Sequence, residues 1–255
     1  MFSKGFYRLA LITAALAAAC APAYAETTLV AVAANFTQPM NEIAAAFEKA
    51  TGHSAKLSFG SSGKFVAQIE NGAPFEVFLS ADSEKPTQLE KSRLAVPGSR
   101  FTYAIGKLVL WSAKPGLVDD QGAILNGGGF RHLALADPKL APYGAAAVEV
   151  LKNQGLFEKL GPSFVLGENI AQTHQFVSTG NAELGFIALS QVIEDGKIAK
   201  GSSWIVPETL HAPIRQDAVL LNKGGGNPAA PALLQFLKSA EARAIMQKYG
   251  YSLAD

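Results

Sequence analysis

The spacing of apolar positions changes period regularly along the chain. Residues 29–34 (LVAVAA) are a short apolar run of the kind found in a buried parallel strand. After Asn35, the residues Met40, Ile43, Ala44 and Phe47 recur at i, i+3, i+4 and i+7. With Pro39 in the first turn and Gly52 as the stop, this predicts an amphipathic helix. Residues 55–59 read as a strand, 60–63 (GSSG) as a turn, 64–71 as a helix halted by Gly72 and Pro74, and 75–79 as another strand. Strands alternating with helices predict an α/β fold, with a mostly parallel sheet covered on both faces.

The alternation breaks at residues 101–111 (FTYAIGKLVLW), which are long for one strand and carry Gly106 in the middle. A strand passing from one lobe to another has this form. Strands at 133–136, 164–166 and 184–189, with helices at 143–153 and 169–179, rebuild the pattern beyond it. Residues 213–221 (PIRQDAVLL) then predict a return crossing, and helices at 229–239 and 240–249 pack back on the first lobe. The expected organisation is residues 26–104 plus 214–255 as lobe 1 and 105–213 as lobe 2, hinged near 104–106 and 213–216. A ligand of such a fold lies where strand ends and helix starts from both lobes converge.

The first 25 residues stand apart. Lys4 and Arg8 precede an apolar run at 9–19, and Ala23, Tyr24 and Ala25 form a small-x-small cleavage signal. The run falls short of the about 20 residues of a spanning helix. A signal peptide cut after Ala25 is expected, and with it a periplasmic location. Lipid attachment at Cys20, the only cysteine, is the second choice, because Leu16 sits one place too far from it. Cleavage removes Lys4 and Arg8 from 22 basic residues and none of the 21 acidic ones, so the net charge of +1 becomes −1. No basic stripe remains to track a phosphate backbone, which argues against nucleic acid as partner.

Enzyme signatures are missing. His53, His132, His174 and His211 are not spaced as metal ligands. The GSSGK segment at 60–64 lacks the glycine spacing of a phosphate loop, and Lys64 stands where a nucleophile elbow needs glycine. Four strand-to-helix turns do carry short polar or small residues: at Asn35, at Ser61 and Ser62, at 142–144, and at 168–170. Each helix start exposes unpaired N–H groups and the positive end of the macrodipole. Aimed at one point, they form an anion site without formal positive charge. Read singly, Asn35, Ser61 and Ser62 are ordinary caps.

The segments VAVAANF at 30–36, FGSSGKFVAQIENGAPFEVFLSAD at 59–82, ADPKLAPYG at 136–144 and GENIAQTHQFVSTGNAELGFIAL at 167–189 resemble the periplasmic molybdate-binding proteins of ABC transporters. The resemblance implies a two-lobed type II periplasmic binding protein fold with two hinge crossings, and no enzymatic activity or cofactor. It implies molybdate or tungstate as ligand, with another oxyanion such as sulfate as the alternative, a membrane permease as partner, and a monomer. Carried over by position, it implies oxyanion contacts from Asn35 (side-chain amide or backbone N–H), Ser62 (hydroxyl and N–H), Tyr143 and Ile170 (backbone N–H), with Ala34 and Ser61 as further contacts. Ala188 departs from the pattern, standing where one branch of the family has a tyrosine donor, and the hydroxyl of Tyr143 is expected to replace it. Exclusion of phosphate then requires Glu168 and Asp137 to point away from the site.

Overall fold

The computed structural model describes residues 25–254 apart from 195. The expected signal peptide and the Cys20 alternative lie outside the described residues. The described residues form the strands β1 (Thr27–Ala33), β2 (Ser54–Gly60), β3 (Val77–Leu79), β4 (Phe101–Gly106), β5 (Leu108–Ser112), β6 (Leu133–Ala136), β7 (Phe164–Gly167), β8 (Leu184–Ala188), β9 (Ile193–Glu194), β10 (Lys197–Ile198), β11 (Ser202–Ile205) and β12 (Ile214–Leu220). The α-helices are α1 (Thr37–Thr51), α2 (Ser62–Glu70), α3 (Glu84–Lys91), α4 (Ile124–Gly127), α5 (Pro142–Asn153), α6 (Phe157–Leu160), α7 (Ile170–Ser178), α8 (Ala229–Phe236) and α9 (Ala240–Lys248). No helix among the described residues is long and apolar enough to cross a membrane.

The strands form two five-stranded sheets, ordered β2-β1-β3-β12-β4 and β11-β5-β8-β6-β7, and the small β9–β10 pair. Each large sheet is mixed. In the first, β1 pairs in parallel with β2 and β3, while β12 is antiparallel to β3 and β4. In the second, β6 is parallel to β7 and β8, while β5 is antiparallel to β8 and β11. The parallel pairs are those joined through helices. The antiparallel ones involve the strands that carry the chain between sheets, which no crossover helix forces into line. The long run at 101–111 is two strands in two different sheets, separated only by Lys107.

Packing follows the apolar periodicity. Met40, Ile43 and Phe47 lie along one face of α1, fully buried against Val30, Val32 and α8 and α9. Burying each such side chain contributes about 1.5–3 kcal/mol. Gly52 ends α1 at φ 78°, its N–H on the Glu48 carbonyl at 2.8 Å. In lobe 2, α5 packs against the sheet face of Leu133, Leu135 and Phe186. The start of α5 is pinned close to β6, because a Cβ on Gly144 would lie 2.0 Å from the Ala136 carbonyl oxygen.

The lobes are shut on one another. Gly63 donates its N–H to the Leu140 carbonyl at 2.9 Å, and Lys64 pairs with Glu168 at 2.6 Å. Ser190 Oγ donates to the Asn35 carbonyl at 2.8 Å.

Candidate functional site

Between the lobes lies one small pocket. Lobe 1 supplies Ala33, Ala34 and Asn35 after β1, Gly60, Ser61 and Ser62 before α2, and Ala81 after β3. Lobe 2 supplies Ala141, Pro142 and Tyr143 at the start of α5, and Asn169 and Ile170 at the start of α7. All six residues expected from the sequence, Ala34, Asn35, Ser61, Ser62, Tyr143 and Ile170, meet here. The pocket is small, with a volume of about 10 Å³. That space suits a compact ion and no extended organic chain. A neighbouring groove of about 620 Å³ is lined by charges of both signs, including Asp82, Lys85, Glu149 and Arg215.

The caps at these helix starts are selective. At α7, the Asn169 side chain (φ −149°, ψ 173°) accepts from the N–H groups of Ala171 and Gln172, each at 3.0 Å, and its carbonyl takes Thr173 at 3.1 Å. Only the N–H of Ile170 is left over. At α5, the Ala141 carbonyl takes Gly144 at 2.9 Å and Ala145 at 3.2 Å, and Pro142 has no N–H, which leaves Tyr143. At α2, Ser61 Oγ accepts from Lys64 at 3.4 Å, its carbonyl takes Phe65 at 3.1 Å, and Gly63 is bound to Leu140. That leaves Ser62. The backbone N–H groups of Asn35, Ser62, Tyr143 and Ile170 find no acceptor among the described residues.

Side chains complete the picture. Ser62 Oγ accepts from the Ala81 N–H at 3.0 Å, so its own proton is available to the pocket. Asn35 Nδ2 donates to Gln216 Oε1 at 2.8 Å and to the Tyr251 hydroxyl at 2.9 Å. That edge of the amide is engaged behind the pocket, and the backbone N–H is the uncommitted donor. The Tyr143 hydroxyl likewise accepts from Gln216 Nε2 at 3.1 Å, and it is also hydrogen-bonded to the Tyr251 hydroxyl. It is occupied at the hinge, so the replacement expected for the missing family hydroxyl falls to the Tyr143 backbone. Ala188 is fully buried at the end of β8 and donates its N–H to Gln191 Oε1 at 3.0 Å. Gln191 Nε2 in turn donates to the Ile170 carbonyl at 3.0 Å and fixes that peptide plane.

The electrostatics are those of a neutral site. Among the described residues, no Asp, Glu, Lys, Arg or His lines the pocket. Glu168 is held by Lys64, and Asp137 Oδ1 accepts from the Lys139 N–H at 2.9 Å; neither is part of the lining. Burial raises the pKa of Tyr103 and Tyr143 well above the usual phenol range and pushes Tyr251 to about 12. All three stay protonated at ordinary pH. The positive field comes from helix starts alone, each carrying roughly half a charge.

Sequence reasoning missed the layer behind the pocket: Tyr103, Ser190, Gln216 and Tyr251. These residues are buried and polar, but their partners are far away in sequence. No cluster of three or more metal-ligating side chains occurs among the described residues. Trp111 and Trp204 are buried on β5 and β11 within lobe 2 and do not line the pocket.

Residues 28–252 match the family model of the bacterial extracellular solute-binding proteins. The chain belongs to that family. Within it, this solute-binding protein is 60% identical over 246 residues to the molybdate-binding protein ModA of Azotobacter vinelandii, covering 96% of this chain and 97% of that one. It is 56% identical over 230 residues to the protein of the same name from Rhodobacter capsulatus, covering 90% of each. The solved structure of the Azotobacter vinelandii periplasmic molybdate-binding protein superimposes with a TM-score of 0.87 at 45% identity, over 89% of this chain and all of that one.

Proposed function

We propose that this protein binds molybdate, and tungstate with it, between its lobes in the periplasm and delivers the ion unchanged to an ABC-transporter permease. One observation carries the reading. Asn35, Ser62, Tyr143 and Ile170, whose backbone N–H groups are left over by their own helix caps, line one uncharged pocket together with the Ser62 hydroxyl. Ala34 and Ser61 complete the wall. The names of the close relatives support the choice of ion.

The chemistry of the donors narrows the ligand class. Molybdate, tungstate and sulfate carry no proton at neutral pH and only accept hydrogen bonds. Phosphate and arsenate keep a proton and need an acceptor, yet no carboxylate lines the pocket. Hydrogen bonds to a charged group contribute about 1.5–3 kcal/mol each. After desolvation and closure costs, the donors assembled here support micromolar or tighter binding, about 8 kcal/mol or more. Selection of molybdate and tungstate over the smaller sulfate rests on the spacing at which closed lobes hold these donors. Closure turns residues 26–104 plus 214–255 against 105–213. The change of sheet at Lys107, next to residues 104–106, supports a pivot there.

Titration calorimetry on the protein with molybdate, tungstate, sulfate and phosphate tests this. Tight molybdate and tungstate binding, weak sulfate binding and no phosphate binding are expected; phosphate binding above molybdate would overturn the reading. The same measurement across about pH 6 to 9 should give molybdate affinities within about twofold, since no carboxylate, histidine, lysine or arginine is among the residues that line the pocket. The three tyrosines behind the pocket have pKa values shifted upwards, away from that window. A tenfold change across it would reveal a titrating group at the ion.

A further inference from the structure

Gln216 is buried from solvent and does not itself line the pocket, yet it joins lining residues from both halves of the site. It lies on the return crossing β12, where a register shift between Gln216 and Asp217 interrupts the ladder with β4. Its Oε1 accepts from Asn35 Nδ2 at 2.8 Å and from the Tyr103 hydroxyl at 3.0 Å, both in lobe 1. Its Nε2 donates to the hydroxyl of Tyr143, in lobe 2, at 3.1 Å. The other crossing makes room for that bond. A Cβ on Gly106 would fall 2.0 Å from the Tyr143 hydroxyl and 2.5 Å from Gln216 Nε2. Both crossings therefore meet at one buried hydrogen bond. Its two ends lead to Asn35 and Tyr143, which line the pocket from opposite lobes.

We infer that Gln216 is a positioning residue for anion binding: it holds Asn35 in lobe 1 and captures the Tyr143 hydroxyl of lobe 2 only when the lobes shut. The inference rests on the pocket being the oxyanion site and says how its halves are coupled. In an open form both groups of the Gln216–Tyr143 bond are hydrated. In the closed form they satisfy each other where water is excluded, and leaving one unpaired there is costly. The bond forms after the ion has met one lobe, so it acts on escape and not on capture.

Molybdate association and dissociation measured by stopped flow, with thermal melts of ligand-free and molybdate-bound protein, test this. The variants are Tyr143→Phe, Gln216→Met, their double and Gly106→Ala. Tyr143→Phe is expected to speed molybdate dissociation by about tenfold, leave association within about twofold, and lower the Tm of the bound form but not of the free form. In the Gln216→Met background its effect on dissociation should be clearly smaller, the remainder coming from the bond between Tyr143 and Tyr251. Gly106→Ala, which removes no polar group, should speed dissociation similarly, and it tests the bond independently should Gln216→Met fold poorly. Equal effects of Tyr143→Phe in both backgrounds, or an equal drop in Tm of free and bound protein, would overturn the inference and leave the ligand assignment standing. No molybdate binding by the unaltered protein would overturn both.

Discussion

Ser62→Asp is expected to weaken molybdate binding by more than about a thousandfold while the protein remains folded. The Ser62 hydroxyl oxygen already accepts from the Ala81 N–H at 3.0 Å, and an aspartate oxygen can go on accepting it. Aspartate is also well suited to a helix start, so α2 should persist. What changes is the pocket. Ser62 is 1% exposed and has no ionised neighbour among the lining residues to balance a carboxylate. Two unit charges of like sign about 4 Å apart repel by about 4 kcal/mol at an effective dielectric of about 20, and the ion carries two charges. About 4 kcal/mol alone corresponds to a thousandfold loss. Ser62→Ala is the control. It removes one hydroxyl donor and the acceptor for Ala81, and should cost about tenfold. Calorimetry with a circular dichroism check of folding reads both. Affinity retained within tenfold in Ser62→Asp would place the ion elsewhere.

The fold was legible because periodicity is local. Met40, Ile43 and Phe47 announce α1 wherever they occur, and the run at 133–136 matches β6 residue for residue. The short helix α3, with only Pro86 and Leu89 buried, carries too weak a stripe to be read and is absent from the expected elements. The mixed character of the sheets was equally invisible: strand direction depends on the route of the chain between lobes, which apolar spacing does not encode. The pocket residues could be named from helix-start chemistry and resemblance. Their division of labour could not. That the Asn35 amide turns to Gln216 and Tyr251, and that the Tyr143 hydroxyl turns to the hinge, depends on partners 181, 216 and 73 residues away. Gln216 itself carries no motif. A buried amide on a crossing strand becomes recognisable only once both lobes surround it.

Ile170→Pro is the most direct test that a backbone group binds the ion, and about a hundredfold loss of molybdate affinity is expected. Most backbone N–H groups cannot be removed without breaking a helix. Ile170 is an exception, because it is the first residue of α7, where proline is favoured and no intrahelical bond is lost. The preceding Asn169, at φ −149° and ψ 173°, is extended, as a residue before proline prefers. Its side chain would still cap Ala171 and Gln172. The substitution therefore deletes one N–H aimed at the ion and puts a ring carbon in its place. Losing a charge-assisted bond and leaving an ion oxygen unsatisfied costs about 3 kcal/mol, near the top of the range for such bonds. The ligand-free protein should fall in Tm by only a few degrees, from the smaller side chain at a position 3% exposed. Ile170→Val keeps the N–H with a similar trimming of the core and should bind within about threefold of the unaltered protein. If the proline variant bound as tightly as the valine variant, the N–H of Ile170 would not face the ion, and the α7 start would have to be removed from the site.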